Sequence, residues 1–333
     1  MNFLNTTDLD DLTLDRVLLA AEQLRSEPQQ DWLAGKSVAL IFLNPSMRTR
    51  TSMEVGVFQL GGHAVVLQPG KDAWGIEFEP STVMHGEAEE HIAEVAAVLS
   101  RYVDVIGVRA FPKFVDWSVD RQDKVIKAFA QYSTVPVISL ETITHPLQEL
   151  ALALTLRSQL GDPRGKQFLL TWTYHPKPLN TAVANSAITI ASRLGMDVTL
   201  LCPNEDFLLD SRYLDIATTQ CSQHGRSFEI SHDIATAYSG KDFVYAKSWG
   251  ALPWYGNWAK QQPQHHEYKH FIVDEEKMSK TNNARFSHCL PLRRNIKATD
   301  AVMDAPYCVA AEEAENRLHA QKAVLGMVTG ALS

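Results

Sequence analysis

Apolar runs alternate with helically spaced apolar positions along most of the chain. In the first half, this pattern predicts a helix over 8–26, a buried strand over 36–42, a helix over 51–60 and a strand over 64–67. The alternation continues with helices predicted over 89–102, 124–131 and 145–160 and strands predicted over 103–109 and 136–139. Strands separated by helices of this length are typical of a parallel sheet.

A second series of the same kind begins after residue 160. Its predicted strands cover 167–172, 197–202, 228–231 and 243–247, and its predicted helices cover 181–194, 211–224 and about 311–328. Two such series predict an α/β protein with two doubly wound domains, mainly parallel sheets and interdomain helices. We expect residues 1–148 and the C-terminal helix 305–333 to form one domain, and residues 149–304 to form the other.

Composition narrows the class of protein. The 333 residues are 45% hydrophobic and 21% charged, which is a globular mixture and argues against a disordered chain. The net charge of −8 disfavours general nucleic-acid binding, although it leaves room for one basic pocket. We see no signal-peptide pattern and no apolar stretch near the ~20 residues that span a bilayer. We therefore expect a soluble, cytoplasmic protein without membrane association.

The cysteines predict neither disulfides nor a metal site. Cys202, Cys221, Cys289 and Cys308 form no CxxC pair and are too sparse for a disulfide framework. We expect buried or free thiols and no bound metal.

The most informative segment lies between the first predicted strand and the next helix. Residues 46–51 read Ser-Met-Arg-Thr-Arg-Thr. A helix N-terminus presents unpaired N–H groups, and arginine forks and hydroxyls add further anion donors. The chain has no GxxxxGK[ST] loop, and no GxGxxG follows the first strand, so a small phosphate compound fits better than a nucleotide. An exposed helix cap with two solvated arginines stays the alternative.

Two further clusters are candidate site segments, and the first of them lies at the expected carboxyl end of a strand. Residues 145–148 read His-Pro-Leu-Gln, and Pro146 suits the first turn of a helix. Arg109 ends a strand and could meet this cluster, because ligands of open α/β sheets bind at the carboxyl ends of strands. Residues 288–294 read His-Cys-Leu-Pro-Leu-Arg-Arg. The alternatives are a capping histidine and a proline-punctuated surface loop with a basic rim.

Together, the segments 46–51, 145–148 and 288–291 resemble the S-x-R-T-R-T, H-P-x-Q and H-C-L-P motifs of the aspartate/ornithine carbamoyltransferase family, in the family's order. The resemblance covers essentially the whole chain. It implies the carbamoyltransferase fold, a carbamoyl-phosphate domain followed by an amino-acid domain, and a homotrimer that shares its active sites. It implies no cofactor and no metal.

The resemblance also implies roles for individual residues. Carbamoyl phosphate would be held by Ser46, Met47, Arg48, Thr49, Trp74, Arg109, His145, Gln148, Cys289, Leu290 and Arg317. Thr49, Arg109 and His145 would polarise the carbamoyl oxygen, where donors stabilise a developing oxyanion. Gln148 and backbone carbonyls near Cys289 would receive the carbamoyl amide group. Trp74 would reach the site of a neighbouring subunit.

The acceptor region departs from the ornithine enzymes of the family. Their D-x-x-x-S-M-G segment carries an aspartate for the α-ammonium group, whereas residues 244–250 read Val-Tyr-Ala-Lys-Ser-Trp-Gly. Lys247 would repel an α-ammonium and attract an α-carboxylate, which suits an acceptor with an acylated α-amine. Glu89 would tolerate an acetyl group and repel the carboxylate of a succinyl tail. The related N-succinylornithine enzymes have a proline at this position. A surface lysine and a solvated glutamate at a helix start are the alternatives.

The same branch of the family implies the remaining site residues. Acetylornithine would contact Glu89, Glu141, His175, Asn180, Lys247 and Leu290, and Lys297 matches a position that can be carboxylated. We therefore expect carbamoyl transfer from carbamoyl phosphate to the δ-amine of N-acetyl-L-ornithine, in arginine biosynthesis. Transfer to N-succinylornithine or ornithine is the nearest alternative. A non-catalytic regulator that binds a phosphate metabolite is an alternative of another class, and a nicotinamide dehydrogenase is a weaker one.

Overall fold

The computed structural model describes residues 1–332, with the backbone alone for residue 264. The strands are β1 Ser37–Phe42, β2 His63–Leu67, β3 Ile76–Glu77, β4 Glu90–His91, β5 Val105–Arg109, β6 Val137–Glu141, β7 Gln167–Trp172, β8 Asp197–Leu201, β9 Phe228–Ser231, β10 Phe243–Lys247 and β11 Arg285–Ser287. The helices are α1 Asp11–Ser26, α2 Met47–Gln59, α3 Ile92–Tyr102, α4 Trp117–Asp120, α5 Lys124–Tyr132, α6 Pro146–Leu160, α7 Ala182–Arg193, α8 Ser211–Gln223, α9 Ile234–Ala237, α10 Trp258–Glu267, α11 Glu275–Ser279, α12 Asp300–Met303 and α13 Ala310–Thr329. Single 3-10 turns cover Thr6–Asp8, Glu205–Phe207, Leu252–Trp254 and Tyr268–Phe271.

The chain divides into two compact units. The first unit comprises residues 1–112, 118–150 and the C-terminal stretch from 316, and the second comprises residues 113–117 and 151–315. The substrate roles that we assigned to 1–148 with 305–333 and to 149–304 stay predictions, and residue 333 lies outside the described residues.

The first unit is built on a four-stranded parallel sheet in the order β2-β1-β5-β6. The chain moves outward from β1 to β2 on one side and to β5 and β6 on the other. This reversal is the point where open α/β sheets bind ligands. One face of the sheet is covered by α3 and α5, whose Ile92, Ala96, Ile126 and Phe129 join the apolar side chains of β1 and β5 in one core.

The second unit is built on a five-stranded parallel sheet in the order β11-β10-β7-β8-β9. Its strand order reverses between β7 and β10. Every residue of α7 is buried, which explains why this helix carries small and apolar residues on all sides. The predicted α/β class with mainly parallel sheets is confirmed in both units.

Several predicted boundaries were wrong, for local physical reasons. The helix predicted to start at residue 51 begins at Met47, because the Ser46 hydroxyl accepts a bond from Thr49 N–H at 3.2 Å and caps it. The helix predicted from residue 89 begins at Ile92, because the His91 ring caps it. The helix predicted from residue 8 begins at Asp11, where Asp10 is the cap. We did not predict β11, which is only three residues long, or α10, whose polar sequence contains a proline.

All four cysteines are free thiols, as predicted, and three of them are buried. Among residues 1–332, no cluster of three or more His, Cys, Asp or Glu side chains is arranged to hold a metal ion. Over the same residues, no helix combines the length and the apolar character that crossing a bilayer requires.

Candidate active site

The Ser46 motif lies at the carboxyl end of β1 and forms the N-terminus of α2. Ser46 is extended, with φ of −158°, and α2 has no acidic residue in its first turn. The first N–H groups of the helix and its positive dipole end are therefore not neutralised by a local carboxylate. Arg48 is half-buried, whereas Arg50 is exposed and pairs with Glu54 at 3.5 Å. The arrangement suits a small anion, with Arg48 as the nearer cation.

Thr49 links this motif to the C-terminal helix α13. Its side chain is fully buried, and its Oγ1 accepts a hydrogen bond from Arg317 Nη2 at 2.6 Å. Arg317 is itself 4% exposed. A second guanidinium is therefore held beside the α2 N-terminus, as the predicted phosphate role of Arg317 requires. Met47, predicted to act through its backbone, has a 75% exposed side chain.

Arg109, Glu141 and His145 form one buried group of charged and polar side chains. Arg109 Nη1 donates to Glu141 Oε2, and His145 Nε2 lies 3.5 Å from the same oxygen. The guanidinium also lies over the Phe111 ring, 4.5 Å from its centroid. Arg109 Nε is buried and has no hydrogen-bond partner within the described structure. A carboxylate thus holds in place two groups that were predicted to polarise a carbonyl oxygen.

The sheet register explains why these side chains meet. Phe42 at the end of β1 pairs with Arg109 at the end of β5, and Arg109 pairs with Glu141 at the end of β6. The β5–β6 register shifts after Val108, so that Leu140 is skipped and Glu141 lies opposite Arg109. Irregularities of this kind re-aim side chains next to active sites. We call the carboxyl ends of β1, β5 and β6, with the segments that follow them, the first edge.

The His-Pro-Leu-Gln motif lies at the first edge, where α6 begins. Pro146 is the first helical residue, as predicted, and the carbonyl of His145 accepts the N–H of Gln148 at 3.0 Å. His145 and Gln148 are each 2% exposed. The two side chains therefore project from a buried helix start rather than from a solvated cap.

Equivalent positions of the second unit form a second edge at the carboxyl ends of β7, β10 and β11. Lys247 ends β10 and is half-buried, and it pairs in register with Trp172 at the end of β7. Gly250 follows, and a Cβ atom there would lie 2.6 Å from the Trp258 ring. The chain after Lys247 is therefore tightly enclosed, and Lys247 is not an unconstrained surface lysine.

His175 follows β7 at the second edge and is held by a backbone contact. His175 Nδ1 lies 2.7 Å from the Lys177 carbonyl oxygen. Burial lowers the pKa of His175 to about 4; the Lys177 carbonyl opposes this shift, and the positive charges of Lys297, Arg293 and Lys247 act in the same direction as burial. His175 is thus neutral at pH 7, and it acts as a hydrogen-bonding group rather than a cation.

Lys297 is a buried lysine with an unusual partner. It is 2% exposed, and its Nζ lies 3.3 Å from His288 Nε2. Burial lowers the pKa of Lys297 to about 7, and the charges of Lys247 and Arg293 act in the same direction. His288 Nδ1 accepts the N–H of Leu290 at 2.8 Å, so the ring proton of neutral His288 lies on Nε2. That proton points at Lys297, which then accepts it as a neutral amine.

Asn180, Leu290 and Glu141 are further residues predicted to contact the acceptor. Asn180 is 8% exposed, and its Oδ1 accepts the N–H of Ala182 at 3.2 Å, ahead of α7. Leu290 has a φ of 52°, which is strained for a residue other than glycine and is found most often at functional sites. Cys289 is buried beside it. Glu141 lies with Arg109 and His145 at the first edge rather than among the second-edge residues.

Trp74 and Glu89 lie on exposed stretches of the first unit. Trp74 is 67% exposed and follows a turn in which Asp72 accepts the N–H of Gln68 at 2.6 Å. Glu89 is exposed and precedes the His91 cap of α3 by two residues. Glu89 is therefore not in the first turn of the helix, which weakens its interpretation as a dipole-stabilising glutamate.

The comparison with known proteins agrees with this geometry. The model of the carbamoyl-phosphate-binding domain of aspartate/ornithine carbamoyltransferases matches residues 1–158, and the model of the Asp/Orn-binding domain matches residues 178–328. A Xanthomonas campestris protein named N-acetylornithine carbamoyltransferase is 65% identical, over 99% of this chain and 98% of its own length. A protein of the same name from Xylella fastidiosa is 63% identical over 97% of both chains.

A solved structure extends the likeness to three dimensions. The crystal structure of an acetylornithine transcarbamylase complexed with acetylcitrulline superposes with a TM-score of 0.98 and 65% identity, covering 98% of this chain and 99% of the other. Family models over both halves, relatives along the full length and a shared fold all agree. The chain belongs to the aspartate/ornithine carbamoyltransferase family.

Proposed function

We propose that this chain transfers the carbamoyl group of carbamoyl phosphate to the δ-amine of N-acetyl-L-ornithine, giving N-acetyl-L-citrulline and phosphate. The observation that carries the chemistry is the row of donors at the first edge: the α2 N-terminus, Arg109 and His145. The choice of acceptor rests on the names of relatives that are 65% identical over the whole chain.

The phosphate of the donor substrate would bind at the start of α2. Ser46 and Thr49 supply hydroxyls, the backbone of Met47 supplies an N–H group, and Arg48 and Arg317 supply guanidinium groups. Arginine suits this position because its planar fork matches two phosphate oxygens at once. Trp74 is proposed as a further phosphate contact, supplied to a neighbouring copy of the chain.

The carbamoyl group would lie against Arg109, His145 and Thr49. The acceptor amine attacks the carbamoyl carbon, and the carbonyl oxygen becomes an oxyanion that these donors stabilise by several kcal/mol. The bond from carbon to the phosphate oxygen then breaks, and the departing phosphate takes the proton that the amine loses. Gln148 and the backbone near Cys289 and Leu290 would bind the carbamoyl amide group.

Glu141 has a structural role and an electrostatic role in this reaction. It accepts from Arg109 and lies beside His145, and it therefore fixes the direction in which both donors point. It also supplies a negative charge at the first edge. The incoming amine arrives mainly as an ammonium group because its pKa in water is near 10, and it must give up one proton to water before it attacks. A carboxylate at this edge attracts the amine to the carbamoyl carbon.

Residues of the second edge and Glu89 would recognise the acceptor substrate. Lys247 would attract the α-carboxylate of acetylornithine, and neutral His175 and Asn180 would offer hydrogen bonds to polar groups. Leu290 is proposed as a further contact. Glu89 would tolerate acetyl and repel the carboxylate of a succinyl group. Selectivity thus comes from one attraction and one repulsion.

Lys297 is proposed to carry a carbamate formed from carbon dioxide. The neutral amine attacks CO₂, a carbon–nitrogen bond forms, and a proton is released to water. A neutral amine at pH 7 requires a pKa far below that of an ordinary lysine, which the burial of Lys297 provides. The modification would place an anion beside Lys247 and Arg293 and so balance one of these two positive charges.

Three further parts of the proposal rest on the family alone. We place the reaction in arginine biosynthesis, the protein in the cytoplasm, and the chain in a homotrimer whose copies share active sites. Light scattering would test the trimer, and a mass of one or two chains in active protein would contradict it.

The experiment is a product assay for ureido compounds, with carbamoyl phosphate and three acceptors run side by side. We expect turnover of N-acetylornithine and little of ornithine or N-succinylornithine. Arg48→Ala should abolish it, and the matched control Arg50→Ala should not, because Arg50 is exposed and pairs with Glu54. Turnover of ornithine would overturn the role of Lys247. Binding of carbamoyl phosphate without turnover of any acceptor would favour a regulatory protein.

A further inference from the structure

We infer that the first residues of the chain position the catalytic loop, so that Asn5 and Thr144 act as positioning residues for the reaction. This inference rests on the proposed function, because it assigns the loop its catalytic histidine. The N-terminal strap denotes residues 2–6, and the His145 loop denotes residues 142–145, which join β6 to α6.

The strap has one part that belongs to the sheet. Phe3 pairs with Ile138 of β6, with Phe3 N–H donating to the Val137 carbonyl at 2.8 Å and Ser139 N–H donating to the Phe3 carbonyl at 2.9 Å. Asn2 Oδ1 accepts the N–H of Val137 at 3.0 Å. Phe3 is fully buried. These bonds extend the sheet by one residue pair and contribute to the stability of β6.

The strap has a second part that leaves the sheet and reaches the loop. Thr144 Oγ1 donates to Asn5 Oδ1 at 2.6 Å. The next residue, Thr6, is 1% exposed, and its hydroxyl donates to the Glu149 carboxylate. Thr144 directly precedes His145, and Glu149 directly follows Gln148. The two side-chain bonds therefore bracket the motif that we assign to the carbamoyl group.

The loop is also held by Asp123, the residue directly before α5. Thr142 Oγ1 donates to Asp123 Oδ2 at 2.7 Å, and the N–H of Thr142 donates to the Thr144 carbonyl at 2.8 Å. All four loop residues are buried. The loop is thus clamped between Asp123 and Asn5, with Glu141 at one end and His145 at the other.

This clamp matters because His145 and Arg109 must address the same oxygen. The register of β5 places the backbone of Arg109, whereas the loop and the start of α6 place the backbone of His145. A displacement of about 1 Å of a catalytic group costs on the order of a hundredfold in rate. Loss of a single directional bond to the loop is enough to allow a fraction of such a shift.

The two parts of the strap make the inference testable with matched variants. Asn5→Ala removes the bond to the loop and changes the cap of the Thr6–Asp8 turn, whereas Asn2→Ala removes a bond to β6. Thr144→Val removes the hydroxyl while it keeps the branched shape, and Thr144→Ser keeps the hydroxyl. Each variant is assayed as the full chain for kcat, for KM of both substrates and for its urea midpoint.

We expect Asn5→Ala and Thr144→Val to lower kcat by about tenfold. KM for acetylornithine should change less than kcat, and Thr144→Ser should restore most of the rate. Asn2→Ala should lower the urea midpoint without this loss of kcat. The inference is overturned if Asn5→Ala and Asn2→Ala lose equal activity, or if Thr144→Ser is as slow as Thr144→Val.

A separate measurement distinguishes failure of the inference from failure of the proposed function. If the wild-type chain turns over none of the three acceptors, the proposed function fails. In that case the affinity for carbamoyl phosphate still tests the role of the strap, since His145 is proposed to contact that substrate. Weaker binding by Asn5→Ala than by Asn2→Ala supports the strap, and equal binding refutes it.

Discussion

The buried amine of Lys297 gives the sharpest prediction, because its protonation state decides whether it can be carboxylated. A lysine with the ordinary pKa of 10.5 is neutral in about one molecule in 3,000 at pH 7, whereas a pKa of about 7 leaves about half neutral. The reactive amine is therefore enriched by roughly a thousandfold over an exposed lysine. His288 Nε2, 3.3 Å away, favours the same neutral state by pointing its proton at the nitrogen.

The assay is carbon-13 NMR of the protein in labelled bicarbonate, with dissolved CO₂ held constant. We expect one carbamate signal that grows from pH 6 to pH 8, because formation consumes neutral amine and releases a proton. Lys297→Arg should remove the signal, since a guanidinium forms no carbamate. Lys247→Met should reduce the signal near pH 7, because loss of the neighbouring positive charge raises the pKa of Lys297.

The reasoning fails if active wild-type protein at pH 8, saturated with bicarbonate, shows no signal that Lys297→Arg removes. It also fails if the signal is independent of pH. In either case Lys297 would be a structural partner of His288, and the charge balance around Lys247 would have to come from the substrate itself.

Four further outcomes follow from single contacts. Ser46→Ala should lower the free energy of unfolding in urea by about 1 kcal/mol, and an unchanged midpoint would argue against the helix cap. Thr49→Val removes an acceptor of Arg317 and should cost about 1–3 kcal/mol in the same assay; a neutral effect would contradict that bond. Glu89→Pro should raise turnover of N-succinylornithine relative to N-acetylornithine, and an unchanged ratio would remove its role. The pKa of His175 is lowered to about 4, so between pH 6.5 and 4 the unfolded chain binds a proton that the folded chain does not. The free energy of unfolding should therefore decrease by up to about 3 kcal/mol as the pH falls from 6.5 to 4, and His175→Gln should lack this pH dependence.

Much of the fold could be predicted because its strands are buried on both faces. β1, β5 and β7 are made largely of apolar residues, and β1 is followed by a helix in which Met53 and Val57 recur at helical spacing. The position of the Ser46 motif after a strand was also readable, since serine is a preferred cap. Helix starts were less predictable, because a cap can lie several residues before the first buried apolar position, as Ser46 lies before Met53.

The pairing of site residues could not be read from the sequence. Arg109 and Glu141 meet because the register of β5 and β6 skips Leu140, and no local pattern encodes such a shift. Asn5 and Thr144 are separated by 139 positions, and neither has a residue type that marks a site. The family motifs identified which segments carry chemistry, but the contacts within them depend on packing between distant parts of the chain.

The positive charges of the second edge bear on the choice of acceptor independently of any sequence motif. Lys247 and Arg293 lower the pKa of Lys297, and all three cations lower the pKa of His175. A bound carboxylate would relieve this repulsion and raise both pKa values, whereas the free α-ammonium of ornithine would add a further positive charge beside Lys247 and Arg293. Like charges a few ångströms apart cost energy even at a protein surface. An acceptor whose α-amine is an uncharged amide avoids this cost and keeps its carboxylate, so the electrostatics alone favour an acylated ornithine over ornithine itself.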